Sequence, residues 1–375
     1  MIRLLSVQPV AERGGSDHAL LRMVRSLPSD EFDCHIAVPS ASPLHAEFAA
    51  AGATVHVVSM RRLSTSHGAL DWAAYGAGWP VGVTRLARLI RRLDVDVVHT
   101  NSLHSLYGWA AAALTRRPHV WHAREIVVQS GAALRLERSL ARRFATTVIC
   151  MSEAVADQLD ERNVEIVYET ADPDEFRPAL AGTFRAGAGI PDDAPLAGAA
   201  GRLDSWKGVD VLLDAYGRAK PRRPEMHLLV AGGAVPGKEP LATDLEARAS
   251  GLEDVHWLGP RTDMPEVFAD LDLFVLPSTE PEPYGLVAVE ALASGVPIVV
   301  TDAGGPPEIL DRSAPGSGRA VPPRDAAALA DAIVGLLPSH TDVAMRRQRR
   351  SLQPPDQSDR FATIFRKAAA RRDRR

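Results

Sequence analysis

Two carboxylates, Glu282 and Glu290, stand eight residues apart with Gly285 and an apolar helical run from Leu286 and Val287 between them. A helix that starts there presents N–H groups without intrahelical partners and a partial positive charge, both suited to phosphate oxygens. Glutamates on either side accept hydrogen bonds from hydroxyls. Loop carboxylate, helix N-terminus and helix carboxylate together make a receptor for a sugar carrying a diphosphate. A small-residue stop at Ser294-Gly295, a buried-strand run over Pro297–Val300 and a glycine pair, Gly304-Gly305, follow.

A second set supplies cations. Gly201-Arg202 and Lys207-Gly208 follow the apolar run Leu196–Ala200, so Arg202 and Lys207 lie five residues apart where a strand passes into a helix. Arg202 can grip a diphosphate with its planar fork, and Lys207 acts as a point charge. Cations on an ordinary surface turn would show no such placement. Where a sugar leaves a diphosphate, stabilising that leaving group is a large part of catalysis.

Three further groups sit at strand-to-loop positions. Gly14-Gly15-Ser16-Asp17 opens a helix after the first strand. Its glycines let backbone approach a ligand, while simple capping by Ser16 or Asp17 is the plain alternative. The spacing is not Gly-x-Gly-x-x-Gly, so no dinucleotide fingerprint is present. His122, beside Arg124 and Glu125, and Asn101, beside Ser102, each end a strand pattern and are candidates for substrate contact or for structure. Two Asp-x-Asp strings, Asp94-Val95-Asp96 and Asp270-Leu271-Asp272, can in principle hold a divalent metal on a diphosphate. Both precede strands, away from the carboxyl ends where such sheets bind ligands. They read as capping and solvated residues; no metal and no other cofactor is expected.

The elements that position these residues alternate. Strand patterns at Arg3–Val7, Cys34–Val38, Thr54–Val58, Val95–Thr100, His119–Ala123 and Thr146–Met151 are interleaved with helical stretches at Asp17–Leu27, Pro43–Ala51, Gly82–Leu93, Leu106–Leu114, Ala132–Phe144 and Glu153–Glu161. After a pause at Val164–Pro178, read as a linker, strands at Leu196–Ala200, His227–Ala231, Val255–Leu258, Leu273–Pro277, Ile298–Thr301 and Arg319–Val321 repeat the alternation. This is the α/β pattern of open parallel sheets covered on both faces. We expect an N-terminal domain over 1–168, a donor-binding domain over 169–355, and a C-terminal helix, about 356–375, packing back on a domain surface.

Composition agrees. A chain of 375 residues fits two ordinary cores, and 46% apolar with 24% charged residues is globular usage. No apolar run reaches the ~18 residues of a membrane-spanning helix, and Met1–Val7 enters a strand without a leader's apolar core, so a cytoplasmic location is expected. Cys34 and Cys150 lie in apolar strands and read as small buried hydrophobes. The net charge of −4 is uneven: from Met345 to Arg375 eleven Lys and Arg face three Asp, about +8, which leaves about −12 for the rest. That tail is a solvated helix face or a peripheral contact for anionic lipid on the inner membrane surface. With few aromatics and no motif it is not a nucleic-acid site. The alanine- and arginine-rich usage suits a GC-rich bacterial source.

Together these residues resemble the family 4 glycosyltransferases, retaining enzymes of the GT-B fold, in which two Rossmann-like domains face a central cleft. The likeness runs over nearly the whole chain. It covers the Gly14-Gly15 loop, the His122 segment, Gly201-Arg202 with Lys207-Gly208, the Glu282–Glu290 pair and the Gly304–Glu308 loop. The resemblance implies that Arg202 and Lys207 bind the donor diphosphate and that Glu282 holds donor-sugar hydroxyls. It implies that Leu286 and Val287 N–H groups face the phosphates, that Glu290 binds the ribose, and that Gly15 approaches phosphate from the other domain. His122 would lie near the anomeric centre, and the base near Gly232-Gly233 and Gly259–Arg261. Two departures stand out: Glu169-Thr170 where the family often has Asn-Gly, and Asp17 where Glu is common.

The expected reaction is metal-independent hexosyl transfer with retention, by front-side attack, from a nucleotide-diphosphate sugar. The acceptor, a cell-envelope glycan, a lipid-linked sugar or a small-molecule glycoside, should meet Ser16, Asp17, Asn101 and the stretch with Trp72, Tyr75 and Trp79. The competing readings are a nucleotide-sugar epimerase of the same fold, a phosphorylase or trehalose-type synthase, and an inactive nucleotide-sugar-binding protein.

Overall fold

The strand runs show little polar alternation because each lies in a parallel sheet covered on both faces. The computed structural model describes residues 1–9, 14–41, 44–61, 69–128, 130–159, 163–178, 182–339 and 348–372, and only the backbone of residues 69–73. It divides into two compact units, Met1–Glu169 with Asp356–Arg375, and Thr170–Pro355.

The first unit contains strands β1 (Ile2–Val7), β2 (Phe32–Val38), β3 (Thr54–Val57), β4 (Val97–Thr100), β5 (His119–Ala123), β6 (Thr147–Cys150) and β7 (Val164–Ile166). They form one sheet in the order β3-β2-β1-β4-β5-β6-β7. Its helices are α1 (Gly15–Ser26), α2 (His45–Ala50), α3 (Ala69–Leu93), α4 (Tyr107–Thr115), α5 (Gly131–Phe144) and α6 (Glu153–Asp157).

The second unit contains α7 (Phe184–Ala188), then β8 (Leu196–Ala200), β9 (His227–Ala231), β10 (Val255–Gly259), β11 (Leu273–Leu276), β12 (Ile298–Thr301) and β13 (Gly318–Val321). The sheet order is β10-β9-β8-β11-β12-β13. Helices α8 (Val209–Ala219), α9 (Glu239–Ser250), α10 (Met264–Asp270), α11 (Leu286–Ala293), α12 (Pro306–Arg312) and α13 (Ala326–Leu336) cover it. The chain then re-enters the first unit as α14 (Asp359–Ala369), whose Phe361, Ile364 and Phe365 are buried in that unit's core.

Both sheets reverse direction beside their first strand, between β1 and β4 and between β8 and β11, the usual place for a ligand. The two Asp-x-Asp strings precede these very strands, and their role corrects the reading of solvated caps. Asp96 accepts the β1 amide N–H of Arg3 at 2.8 Å, and Asp272 accepts the β8 amide N–H of Leu196 at 3.0 Å. Arginines from distant segments complete each lock. Arg372 binds Asp94 and Asp96, while Arg185 donates to Asp272 at 2.7 Å and Arg349 to its other oxygen. Asp270 accepts the first N–H groups of α7 from Phe184 and Arg185, so it does cap a helix, though a remote one. Both Asp270 and Asp272 are buried.

Other differences have local causes. Helix α3 starts at Ala69 rather than Gly82 and runs through Pro80; Tyr75 and Trp79 on its inner face pack on Tyr107 and Trp109 and hold it together across the breakers. Strand β7 lies where a linker is expected, because three residues with one charge carry no strand signal of their own. The Gly304–Glu308 segment is a loop only at its glycines, since Pro306 and Pro307 start α12, where a missing N–H costs nothing. Residues Pro43, Asp160 and Glu161 of the expected helices, and 345–347 and 373–375 of the tail, lie outside the described residues. Cys34 and Cys150 are free and buried, and burial pushes both thiols up to about 12. Among the described residues no helix is long and apolar enough to cross a membrane.

Removing one member of a buried lock leaves its partner's charge uncompensated. Asp272→Ala should lower the unfolding free energy by about 3–5 kcal/mol; a urea midpoint within error of the parent would refute the lock.

Candidate functional site

The second unit assembles its charged groups at the carboxyl ends of β8 and β11. After β8 the chain turns at Gly201 and Arg202, makes one 3-10 turn over Ser205–Lys207 and enters α8 through Gly208. Gly208 has φ +69°, and a Cβ there would lie 2.0 Å from the Pro277 carbonyl oxygen. Only glycine lets this loop press against the one that follows β11. Thr279 N–H then donates to the Trp206 carbonyl at 2.7 Å.

That contact brings Lys207 to Glu282. The ammonium donates to Glu282 Oε2 at 2.6 Å and lies 4.2 Å from the centre of the Trp206 ring. Ser278 Oγ donates to the same carboxylate oxygen at 2.9 Å. The backbone of Glu282 is fixed as well: its N–H donates to Ala303 O, and its carbonyl accepts from Gly305 N–H at 2.8 Å. Gly304, at φ +86°, allows this bridge, since a Cβ would lie 2.1 Å from the Glu282 carbonyl oxygen. Ser278, absent from the sequence reading, belongs to the site.

Gly201, Arg202 and Lys207 share a pocket with Leu276 and Pro277, and Arg202 is exposed. Gly285, at φ +97°, starts α11 without a side-chain cap, which leaves the Leu286 and Val287 N–H groups at the helix end. Glu290, half-buried, lies on the second turn of that helix. The glycines expected near a base also converge: Gly232 N–H donates to Gly259 O at 2.8 Å, and Leu203 N–H to Gly233 O at 2.9 Å. Lys238 joins the loops after β8 and β9 by donating to Asp204 at 2.7 Å. Burial opposes ionisation of Asp204, but Lys238 outweighs it and holds the carboxyl below its ordinary range.

In the first unit Ser16, Asp17 and Asn101 do come together, through Gln8, which the sequence reading missed. Gln8 Nε2 donates to Asp17 Oδ1 at 2.9 Å, and Asn101 Nδ2 donates to Gln8 Oε1 at 2.8 Å and to the Ser16 carbonyl at 3.1 Å. Asp17 also accepts from Gly14 N–H at 3.3 Å, the carboxylate half of a capping box. Asp17 and Asn101 are buried, so they brace the loop, while Gly15 is exposed and Gly14 and Ser16 are half-buried. An added Cβ at Gly15 meets nothing within 4 Å, so packing does not demand glycine there.

His122 needs a correction of the same kind. It stands inside β5, buried between the rings of His99 at 5.6 Å and Phe361 at 5.8 Å. Burial first, and the Arg124 charge second, hold its imidazole well below the ordinary histidine range. The group at the strand end is Arg124, which forks onto both carboxylate oxygens of Glu169, with Nη2 to Oε2 at 2.7 Å. Of the aromatics expected to meet an acceptor, Tyr75 is buried against Tyr107 and Trp79 donates to the Leu106 carbonyl at 3.2 Å. Residues 62–68 and the Trp72 side chain lie outside the described residues.

Comparison with known proteins agrees with this geometry. Residues 14–168 match the model of the glycosyl transferase 4-like domain, and residues 194–339 that of glycosyl transferases group 1. A D-inositol 3-phosphate glycosyltransferase of Saccharomonospora viridis is 34% identical over 321 residues, 80% of this chain and 69% of that protein. The chain belongs to the family 4 glycosyltransferases. As a glycosyltransferase it is also similar to the lipopolysaccharide core mannosyltransferase LpsB of Rhizobium meliloti, 31% identical over 53% of this chain and 57% of that one. The match thus spans little more than half the length of that relative. Among solved structures, Anabaena Alr3699/HepE in complex with UDP and glucose has a TM-score of 0.76 at 22% identity, over 99% of this chain and 100% of that one. The glycosyltransferase WaaG has a TM-score of 0.62 at 16% identity, over 100% of this chain and 96% of WaaG, and the fold is GT-B.

Two expectations follow for this glycosyltransferase. Gly304→Ala should lower the unfolding free energy by at least about 2 kcal/mol and weaken donor binding with it, measured by denaturation and calorimetry. His99, His119 and His122 are all pushed down by burial, His119 to about 3. As pH falls below the ordinary histidine value, the unfolded chain gains protons that the folded chain refuses. Stability should therefore drop between about pH 6.5 and 5, by up to about 1.4 kcal/mol per pH unit for each histidine; a flat urea-midpoint profile there would contradict their burial as neutral groups.

Proposed function

We propose that this glycosyltransferase moves a hexose from a nucleotide-diphosphate sugar to a glycan, lipid-linked sugar or small-molecule glycoside, with retention of anomeric configuration and without a metal. The observation that carries the reading is the Lys207–Glu282 ion pair, held by Ser278 on one side and the Gly304 bridge on the other. A diphosphate competes with Glu282 for the Lys207 ammonium. Once displaced, the Glu282 carboxylate accepts hydrogen bonds from the sugar hydroxyls. One exchange of partners therefore links recognition of the leaving group to recognition of the sugar.

Arg202 adds a second cation, and the Leu286 and Val287 N–H groups add dipoles, so diphosphate charge is met without a divalent ion. Glu290 takes the ribose hydroxyls. Gly15, a glycine that the fold itself does not need, leaves backbone open to a phosphate oxygen. His122 is assigned no substrate contact. HepE has been crystallised with UDP-glucose, which makes that the first donor to test, and the LpsB likeness makes a mannose donor the second.

Calorimetry against UDP-, GDP-, ADP- and TDP-sugars, followed by NMR of the product anomer, tests the proposal. Lys207→Ala should lower kcat/KM about 10²–10³-fold, Glu290→Ala should weaken donor binding, and EDTA should leave the rate unchanged. Wild-type kinetics in both variants would sink the assignment. Conversion of the nucleotide sugar without acceptor would mark an epimerase, and binding without any turnover a sensor.

A further inference from the structure

Of the tail's cations, four on and just after α14 face carboxylates of the first unit. Arg366 forks onto Glu31 at 2.6 and 2.7 Å, Arg360 donates to Glu165 at 2.9 Å, Lys367 lies 3.6 Å from Glu165, and Arg372 binds Asp94 and Asp96. Elsewhere in the first unit, on the helices that follow β3, β4 and β5, exposed arginines outnumber carboxylates among the described residues.

Right-handed crossovers place α3, α4 and α5 on one face of the sheet. Helices α3 and α4 share a core, Trp109 of α4 stacks on Phe144 of α5 at 4.6 Å, and Arg91 of α3 donates to the Leu114 carbonyl at 3.1 Å. Away from the sheet, exposed residues recur at helical spacing: Val81, Arg85, Arg88 and Arg92 on α3, and Arg135, Leu136, Ser139 and Arg143 on α5. Leu114 at the end of α4 is 58% exposed, Leu136 52%, Val81 50%, and Val128 just before α5 47%. From Tyr75 to Leu93, and throughout α4, the chain has no carboxylate. The one carboxylate of α5, Glu137, is buried and faces His104 at 2.8 Å.

We propose that the outer faces of α3, α4 and α5 dock the first unit on an anionic lipid leaflet. The arginines meet headgroup phosphates, and the aliphatic side chains set among them enter the headgroup–acyl boundary. Nucleic acid fits less well, because Tyr75, Trp79, Trp109 and Phe144, the aromatics described on these helices, pack against one another or against Tyr107 rather than offering a stacking platform. The charge complementarity concerns the first unit alone and does not depend on which donor the second unit takes.

Flotation of the full chain with phosphatidylcholine vesicles, with and without about 30 mol% phosphatidylglycerol, tests the surface. Binding should require the anionic lipid and disappear at about 0.5 M salt. Each arginine at such a surface contributes about fivefold in affinity, so Arg85→Ala, Arg88→Ala and Arg135→Ala together should weaken binding about a hundredfold. Leu136→Ser should weaken it severalfold at unchanged salt dependence. Arg366→Ala with Lys367→Ala should leave it intact. Thermal melts and donor calorimetry should match the parent in the triple variant, which separates this outcome from misfolding and from failure of the donor assignment. The proposal is overturned if neutral vesicles bind equally, if the triple variant still binds, or if the tail variant does not. It is also overturned if the same arginines are needed only for duplex DNA binding or for self-association.

Discussion

A parallel sheet buried on both faces has room for charge only at its strand ends, and this constraint organises both units. At the amino ends, charge holds the sheet together. Asp96 ties β4 to β1 through the Arg3 amide, and Asp272 ties β11 to β8 through the Leu196 amide, each with arginine from far along the chain. These locks fix the two strands that flank the switch point. At the carboxyl ends of β8 and β11, the loops they carry then meet closely enough for Gly208 to be obligatory and for Lys207 to reach Glu282. The same kind of interaction, cation to carboxylate, is structural at one end of the sheet and chemically available at the other. Burial and the number of partners make the difference: Asp272 binds Arg185, Arg349 and the Leu196 amide with its side chain closed to solvent, while Lys207 keeps part of its surface open.

What was legible in the sequence was whatever is written locally. Strand and helix alternation, the cation pair at a strand-to-helix turn and the carboxylates flanking Gly285 are each contained in a short window. The locks were not legible, because Asp272 and Leu196 are 76 residues apart and Asp96 and Arg3 are 93 apart. A carboxylate before a strand looks the same whether it faces solvent or a buried guanidinium. Gln8 was missed for a related reason, since one amide after an apolar run gives no sign that it will bridge Asp17 and Asn101.

His122 shows that the last residues of a correctly bounded strand can still lie inside the sheet. The strand runs on to Ala123, and with both faces covered no side chain inside it can point outward. Arg124, just beyond, takes the terminal position and binds Glu169, where the chain leaves the first unit for the second. That pairing also explains one departure from the family pattern: an Asn in place of Glu169 would leave a buried guanidinium without a counter-charge. The other departure, Asp17, is matched by Gln8, whose amide reaches the shorter carboxylate.

The placement of α14 has a consequence for synthesis. Phe361 and Phe365 fill the first unit's core beside His122 and His99, yet they are made after the whole of the second unit. A nascent chain carrying every strand of the first sheet still lacks the plug for one side of it. Its final packing must wait until some two hundred later residues have left the ribosome, by which time the second unit is free to fold on its own. The second unit can thus be finished while the first remains open, and synthesis of α14 becomes the step that closes the first unit's core.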